Sequence, residues 1–210
     1  MKIVICANGK GGRWNDYLGV KKQMIPIDDE PLLHRTVRIL KQLGASKIFI
    51  SASNPDFEVK GAKRFTPKRN TWLIDQYPIE CITEPCLFIL GDIYWTENAL
   101  RTILTTTPER FAFFHTMNPV NQWEEEVAIK AVDYEAFRSG IKAYRQDLFK
   151  GLANDLGGRE LRMKLLGIPY SQYQKNDDMV VHLEPDETCD FDWPEDYDRW
   201  MNKFRNQEQE

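Results

Sequence analysis

Cysteine and histidine are scarce, with four of one and three of the other in 210 residues. None of Cys6, Cys81, Cys86 and Cys189 forms a C-x-x-C pair, and so few ligands argue against a zinc site. Four thiols are also too sparse for a secreted disulfide scaffold, so they read as small apolar side chains of a core. No stretch approaches the ~20 consecutive apolar residues of a membrane span, and the mean hydropathy is -0.53. The longest early apolar run, Ile3 to Ala7, is too short for the core of a secretion signal. A cytoplasmic location is therefore expected. Internal repeats, low-complexity segments and a linker are all absent, which excludes solenoids and arrays. An excess of positive charge is missing too. The net charge is -4 and no finger-like or RNA-binding motif appears, so neither nucleic acid nor membrane is expected as a partner.

What is present is ordinary for a soluble domain: 42% hydrophobic and 29% charged residues. A chain of this length can bury a sizeable core, and a single domain over residues 1–205 is expected, with 206–210 a frayed polar tail. The charge is unevenly distributed. Residues 1–70 hold 14 Lys and Arg against 6 Asp and Glu, while the rest hold 14 against 26. A basic front and an acidic back suit a site that takes polyphosphate on one side and a divalent cation on the other.

The apolar pattern is that of an α/β chain with a mostly parallel central sheet flanked by helices. Lys2 to Ala7 is a β-branched run feeding a glycine loop. Pro31 to Leu43 has helical spacing, with Pro31 in the first turn and Gly44 just beyond the end. Lys47 to Ser51 is a second strand, so the first ~50 residues make a βαβ unit. The right-handed crossover puts the glycine loop at the carboxyl edge of the sheet. Residues 54–70 read as loop and Thr71 to Tyr77 as a short helix. Cys86 to Leu90 is a buried strand closed by Gly91-Asp92, and Thr96 caps a helix through about Leu104. Phe111 to Phe114, Val127 to Val132 and Met179 to Leu183 are further strands. Tyr134 to Leu148, Asp155 to Leu166 and Pro194 to Phe204 are further helices.

The loop after the first strand is Ala7-Asn8-Gly9-Lys10-Gly11-Gly12-Arg13. Its glycines let backbone N–H groups approach an anion closely, and Lys10, Arg13, Lys21 and Lys22 surround it with positive charge. It is not a Walker loop, and Trp14 stands where a dinucleotide fingerprint needs glycine. An ordinary glycine-rich turn is the plain alternative, as is a solvated lysine pair at 21–22. The wider pattern, A-N-G-x-G-x-R from Ala7, then K-K-Q-M-I-P-I from Lys21, then D-E-P-L-L from Asp29, resembles the nucleotidyltransferase superfamily of GT-A-like fold. That superfamily includes the sugar-phosphate and phosphocholine nucleotidyltransferases. The likeness is close over the first ~50 residues and patchy beyond. It implies that Ala7, Asn8, Gly9, Lys10, Gly11, Gly12, Arg13 and Lys22 bind the nucleotide, with Arg13 and Lys22 catalytic. It also implies that residues 1–110 form the nucleotide part and 111–205 the part that binds acceptor and completes the metal site. Three departures stand out: Asn8 stands where a second alanine is usual, Lys21 replaces a proline, and Asp28-Asp29-Glu30 replaces the glycine turn before Pro31.

Acids occur at two stations. Asp92 follows a buried strand, where α/β sheets place ligands. Asp190 and Asp192 share one face of an extended segment just before the last helix. The string D-F-D-W-P-E-D from Asp190 resembles the D-x-D-T-P-E-D segment near the end of several such transferases, with Trp193 in place of Thr. By that likeness Asp92 and Asp192 hold Mg²⁺, with Asp190 a third candidate. The plain alternatives are a turn-stabilising Asp92 and an Asp192 that caps the helix. Lys68 to Thr71 are candidates for phosphate or base contacts. Trp95, His115, Trp123, Glu124 and Glu126 lie where the family builds its acceptor pocket, although His115, like His34 and His182, reads first as structural.

The expected activity is Mg²⁺-dependent transfer of a nucleotidyl group from an NTP, CTP first and UTP or dTTP next, to a phosphorylated small molecule, releasing pyrophosphate. A glycosyltransferase of the same sheet type and a non-catalytic nucleotide-binding regulatory module are the alternatives. A homo-oligomer is compatible with the sequence, which does not fix the oligomeric state.

Overall fold

The computed structural model describes residues 1–9, 11–172 and 178–206. Lys10 and most of the expected tail lie outside the described residues. Among the described residues, eleven strands and five α-helices follow one another: β1 (Lys2–Cys6), β2 (Pro26–Ile27), β3 (Glu30–Pro31), α1 (Leu32–Gln42), β4 (Ile48–Ser51), β5 (Lys63–Phe65), β6 (Cys86–Leu90), β7 (Ile93–Tyr94), α2 (Glu97–Thr105), β8 (Phe111–Met117), β9 (Glu124–Ala131), α3 (Tyr134–Phe149), α4 (Gly158–Leu166), β10 (Val180–His182), β11 (Cys189–Asp190) and α5 (Pro194–Phe204).

Seven strands form the central sheet in the order β10-β8-β9-β6-β1-β4-β5. Only β9 runs antiparallel to its neighbours; the other four pairings are parallel. The continuous apolar runs of β1 and β6 reflect burial on both faces, as parallel strands require. In-register pairing aligns Cys6 with Ser51 and with Leu90. The turns that leave β1, β4 and β6 therefore emerge side by side on one edge, where open α/β sheets bind ligands.

Helices α1 and α2 cover one face over Ile3, Ile5, Leu87 and Ile89. Helices α3 and α4, with the segment 72–82, cover the other over Val4, Phe88, Phe113 and Ile129. Thr96 caps α2 as expected, its hydroxyl accepting from Ala99 N at 3.0 Å. All four cysteines are free and buried.

A third core lies beyond the sheet edge and joins the two ends of the chain. Trp14, Ile25, Ile27 and Leu32 from the first 32 residues pack with Tyr94, Cys189, Phe191, Tyr197 and Trp200. Trp14 is fully buried and its indole N–H donates to Val20 O at 2.9 Å. The tryptophan that spoils a dinucleotide fingerprint is thus the anchor that seats the glycine turn against α5.

Several sequence boundaries move for local reasons. Pro31 precedes α1 rather than opening it, because β3 pairs with β2 up to that residue. The turn between those strands is Asp28-Asp29, with φ of 52° and 62°. Aspartate tolerates this left-handed backbone better than most residues, so the pair forms the two-residue hairpin that glycine would otherwise make. Helix α4 starts at Gly158 rather than Asp155, because Gly157 has φ of 64°. Asp155 instead accepts from Leu73 N at 2.9 Å. The expected helix at 71–77 is a single 3-10 turn, Leu73–Gln76, and residues 54–70 contain the edge strand β5.

Candidate functional site

Lys22 is the centre of the site. It is 5% exposed, and its Nζ lies 2.6 Å from Asp190 Oδ1, 3.2 Å from Asp92 Oδ2 and 3.9 Å from Asp192 Oδ1. Burial opposes the charge on this ammonium, but the three carboxylates outweigh it and hold the pKa above the ordinary lysine value. Lys22 is therefore a fixed cation, not the solvated surface lysine of the alternative reading. Lys21 beside it is that solvated residue, paired with Asp16 at 2.8 Å.

Each carboxylate arrives by a different route. Asp92 follows β6, and its turn lies directly against β1 because Gly91 N donates to Cys6 O at 2.9 Å. A Cβ on Gly91 would stand 2.9 Å from Ala7 Cβ and 3.1 Å from Cys6 O, so only glycine permits this approach. Asp190 ends β11, which pairs antiparallel with β7. Burial, with Asp92 and Asp192 nearby, raises its pKa above the ordinary carboxylate value against the pull of Lys22. Asp192 lies two residues on and forms an ion pair with Arg13. It does not cap α5. That role falls to Asp196, whose carboxylate accepts from Trp193 N at 3.1 Å. Trp193 places its ring 5.8 Å from the Arg13 guanidinium carbon.

A cavity of about 230 Å³ opens beside this cluster, lined by Ala7, Asn8, Gly9, Gly11, Lys22 and Asn70 among others. Among the described residues, chain neighbours apart, no heavy atom lies within 4 Å of where a Cβ would stand on Gly9, Gly11 or Gly12. Gly11 has φ of 59°, which favours glycine there. Asn8 accepts from Ser53 N at 2.8 Å, and its backbone carbonyl accepts from Asn70 Nδ2 at 3.2 Å. Asn8 Nδ2 is buried and has no hydrogen-bond partner among the described residues. Of the Lys68–Thr71 candidates, Asn70 reaches this cavity; Lys68 and Arg69 line another.

Two residues of the site escaped sequence reasoning. Asn118 is fully buried and donates to both Asp190 O and Glu125 Oε1 at 3.0 Å. Burial, with Asp190 and Asp192 nearby, pushes the Glu125 pKa up to about 8. The alternation along β9 sets Glu125 apart from Glu124 and Glu126, which face His115 at 3.5 Å and 3.9 Å. Glu126 is half-buried, and its desolvation pushes the pKa up to about 7, with Arg162 and Tyr77 opposing the shift. His182 pairs with Glu124 at 3.1 Å. Of the aromatic candidates, Trp95 is core, its indole N–H donating to Leu90 O at 3.1 Å. Trp123 is 66% exposed.

The carboxylates also bear on metal binding. Among the described residues no group of three His, Cys, Asp or Glu side chains is close enough to cage a metal. Magnesium needs no such cage, since it takes one or two carboxylates with phosphate oxygens and water. Asp92 and Asp192 are hard oxygen donors and partly open to solvent, so their chemistry fits that ion. Asp190 is more enclosed and bound to Lys22.

No family model and no curated protein matches the chain. Solved structures do. The CTP:phosphocholine cytidylyltransferase from Streptococcus pneumoniae superposes with a TM-score of 0.65 at 17% identity, over 97% of this chain and 99% of that one. The inositol-1-phosphate CTP transferase from T. maritima gives 0.62 at 13% identity, over 98% and 96%. A UDP-glucose pyrophosphorylase from Acinetobacter baumanii gives 0.66 at 10% identity, over 99% and 94%. With its glycine turn at the carboxyl edge of a mostly parallel sheet, the chain has, over nearly all its length, the fold of the nucleotidyltransferases.

Proposed function

We propose that the protein is a Mg²⁺-dependent nucleotidyltransferase that joins an NTP to a phosphorylated small molecule and releases pyrophosphate. The observation that carries this reading is the buried Lys22 ammonium, ringed by Asp92, Asp190 and Asp192 at the mouth of the glycine-lined cavity. In the reaction a phosphate oxygen of the acceptor attacks the α-phosphorus, and the bond from that phosphorus to the β-phosphate oxygen breaks. The attacking oxygen is already anionic, so no general base is required. The work is to bring two anions together and to stabilise charge on the α-phosphoryl oxygens.

Lys22 supplies a fixed point charge for that purpose, held in position by Asp190. Arg13, exposed and paired with Asp192, offers a two-pronged donor to phosphate. The backbone N–H groups of Gly9, Gly11 and Gly12 are donors with open space where a Cβ would stand. Asp92 and Asp192 would hold Mg²⁺. Once bound, the ion supplies positive charge to the phosphate oxygens and to the departing pyrophosphate. The unpartnered Asn8 Nδ2 offers a hydrogen bond to a base bearing a ring carbonyl. Adenine lacks such a carbonyl, whereas the pyrimidines and guanine carry one; among these we propose CTP first and UTP or dTTP next. The acceptor is a sugar phosphate or phospho-alcohol, bound by the part of the chain beyond residue 110.

The test is pyrophosphate release from each NTP with Mg²⁺ and a panel of phosphorylated sugars and alcohols. Release that requires both a pyrimidine NTP and one acceptor supports the assignment. Consumption of a nucleotide-sugar without pyrophosphate, or thermal stabilisation by NTP without turnover, would replace it with a glycosyltransferase or a regulatory module.

A further inference from the structure

A larger cavity, about 610 Å³, lies on the α3 side of the sheet, between α3 and the segment 68–80. Cations converge on it from both walls. Arg138, Lys142 and Arg145 are spaced i, i+4 and i+7 and so lie on one face of α3, and Lys68 and Arg69 face them across the gap. Two acids line the same cavity, and both are engaged. Asp75 forms an ion pair with Arg145 and accepts from Thr71 N at 2.8 Å. Glu80 accepts from Lys68 N at 2.7 Å. Among the described residues, Lys68, Arg69, Arg138 and Lys142 have no carboxylate within 4.0 Å. Burial and the neighbouring Arg69 guanidinium both push the Arg145 pKa down, as expected where like charges are held together.

Such a concentration of cations is unfavourable in itself, and it occurs in a chain of net charge -4. The cavity also has aromatic surface. The Arg145 guanidinium stacks 4.9 Å over the Trp72 ring, and Phe149 at the rim is 84% exposed. Converging guanidinium forks suit phosphate, aromatic faces suit a flat ring, and the volume is that of a small-molecule site.

We propose that this cleft is a second binding site, separate from the Lys22 site, and that it takes a nucleoside diphosphate. The phosphates meet Arg138, Lys142, Lys68 and Arg69, and the base lies against Trp72 and Phe149. This is independent of the reaction proposed above. The two cavities share one strip of chain: Asn70 lines the glycine cavity while Lys68, Arg69 and Trp72 line this one.

The test is photolabelling of the full-length protein with 8-azido-ADP in EDTA, followed by peptide mapping. Label is expected on peptides from 68–80 and 134–150. It should fall about tenfold in R138E/K142E, which alters exposed helix positions only, and persist in Lys22→Ala. R138Q/K142Q replaces the reversal pair if thermal unfolding shows that pair to be misfolded. Label confined to 7–25, or undiminished in the Arg138/Lys142 variants, would overturn the proposal. So would retention of a single-stranded RNA oligonucleotide with no azido-ADP label, which would mark a polyanion surface instead.

Discussion

A lysine buried alone would shed its proton; Lys22 keeps its charge only because three carboxylates enclose it. Replacing it exposes both sides of that balance. In Lys22→Ala the carboxylates repel incoming phosphate and nothing replaces the charge at the α-phosphoryl group. Pyrophosphate release should fall by roughly 10²–10³-fold, with an unchanged far-UV circular dichroism spectrum; near-normal turnover would refute the role. The residues of this cluster were legible to different degrees. Asp92 stands at the carboxyl end of a buried strand, and Lys22, Asp190 and Asp192 stand in patterns that resemble a family's motifs. Asn118 and Glu125 stand in none. A lone Asn after a strand carries no pattern, and the run Glu124 to Glu126 offers its two outer residues as pocket candidates without singling out Glu125; only the packing of these residues against the Asp190 segment gives them partners.

Elements are positioned by contacts that single side chains control. Gly91 lets the turn bearing Asp92 lie against Ala7 and Cys6. In Gly91→Ala the added methyl must displace either the carboxyl end of β1 or that turn, at a cost of about 1–3 kcal/mol. The activity loss should exceed what this destabilisation alone explains, because Asp92 and the glycine loop then separate. Urea unfolding beside steady-state assays would distinguish the two effects, and an active, unshifted variant would count against the packing argument. At this scale the sequence was most readable where periodicity is long. The five α-helices and the strands β1, β4, β6 and β8 all announce themselves. The two-residue strands β2, β3, β7 and β11 do not, since no local pattern of two residues carries a period. Edge strand β5 is Lys63-Arg64-Phe65 inside a polar stretch, and tertiary pairing alone makes it a strand.

The molecule is held together partly by a core that no window of sequence reveals. Trp200 packs 4.4 Å from Tyr94 and 5.6 Å from Phe191, and its indole N–H donates to Glu187 O at 2.8 Å. Trp200→Ala should cost about 3–5 kcal/mol in urea unfolding. It should also lower activity in the remaining folded fraction, because Cys189 and Phe191, which flank Asp190, lose their support. Wild-type activity per folded molecule would show the third core to be merely stabilising. Stability should also respond to pH through Glu126. The folded chain holds this proton to about pH 7, while the unfolded chain releases it near 4.5. Between those values the unfolded state binds fewer protons, so stability falls as pH rises. Denaturation of wild type and Glu126→Gln at pH 4.5 and 7.5 should show the glutamate protein losing up to about 3 kcal/mol relative to the variant. Parallel pH profiles would place the titration elsewhere.

The seam between Trp14 and Trp200 has a consequence for biosynthesis. A nascent polypeptide that has emerged only as far as residue 150 carries the glycine loop, Lys22 and Asp92, yet has neither the α5 aromatics that seat Trp14 nor two of the three counterions around Lys22. In a lengthening chain this site is therefore completed last, once residues 189–204 are free to pack against the first 32.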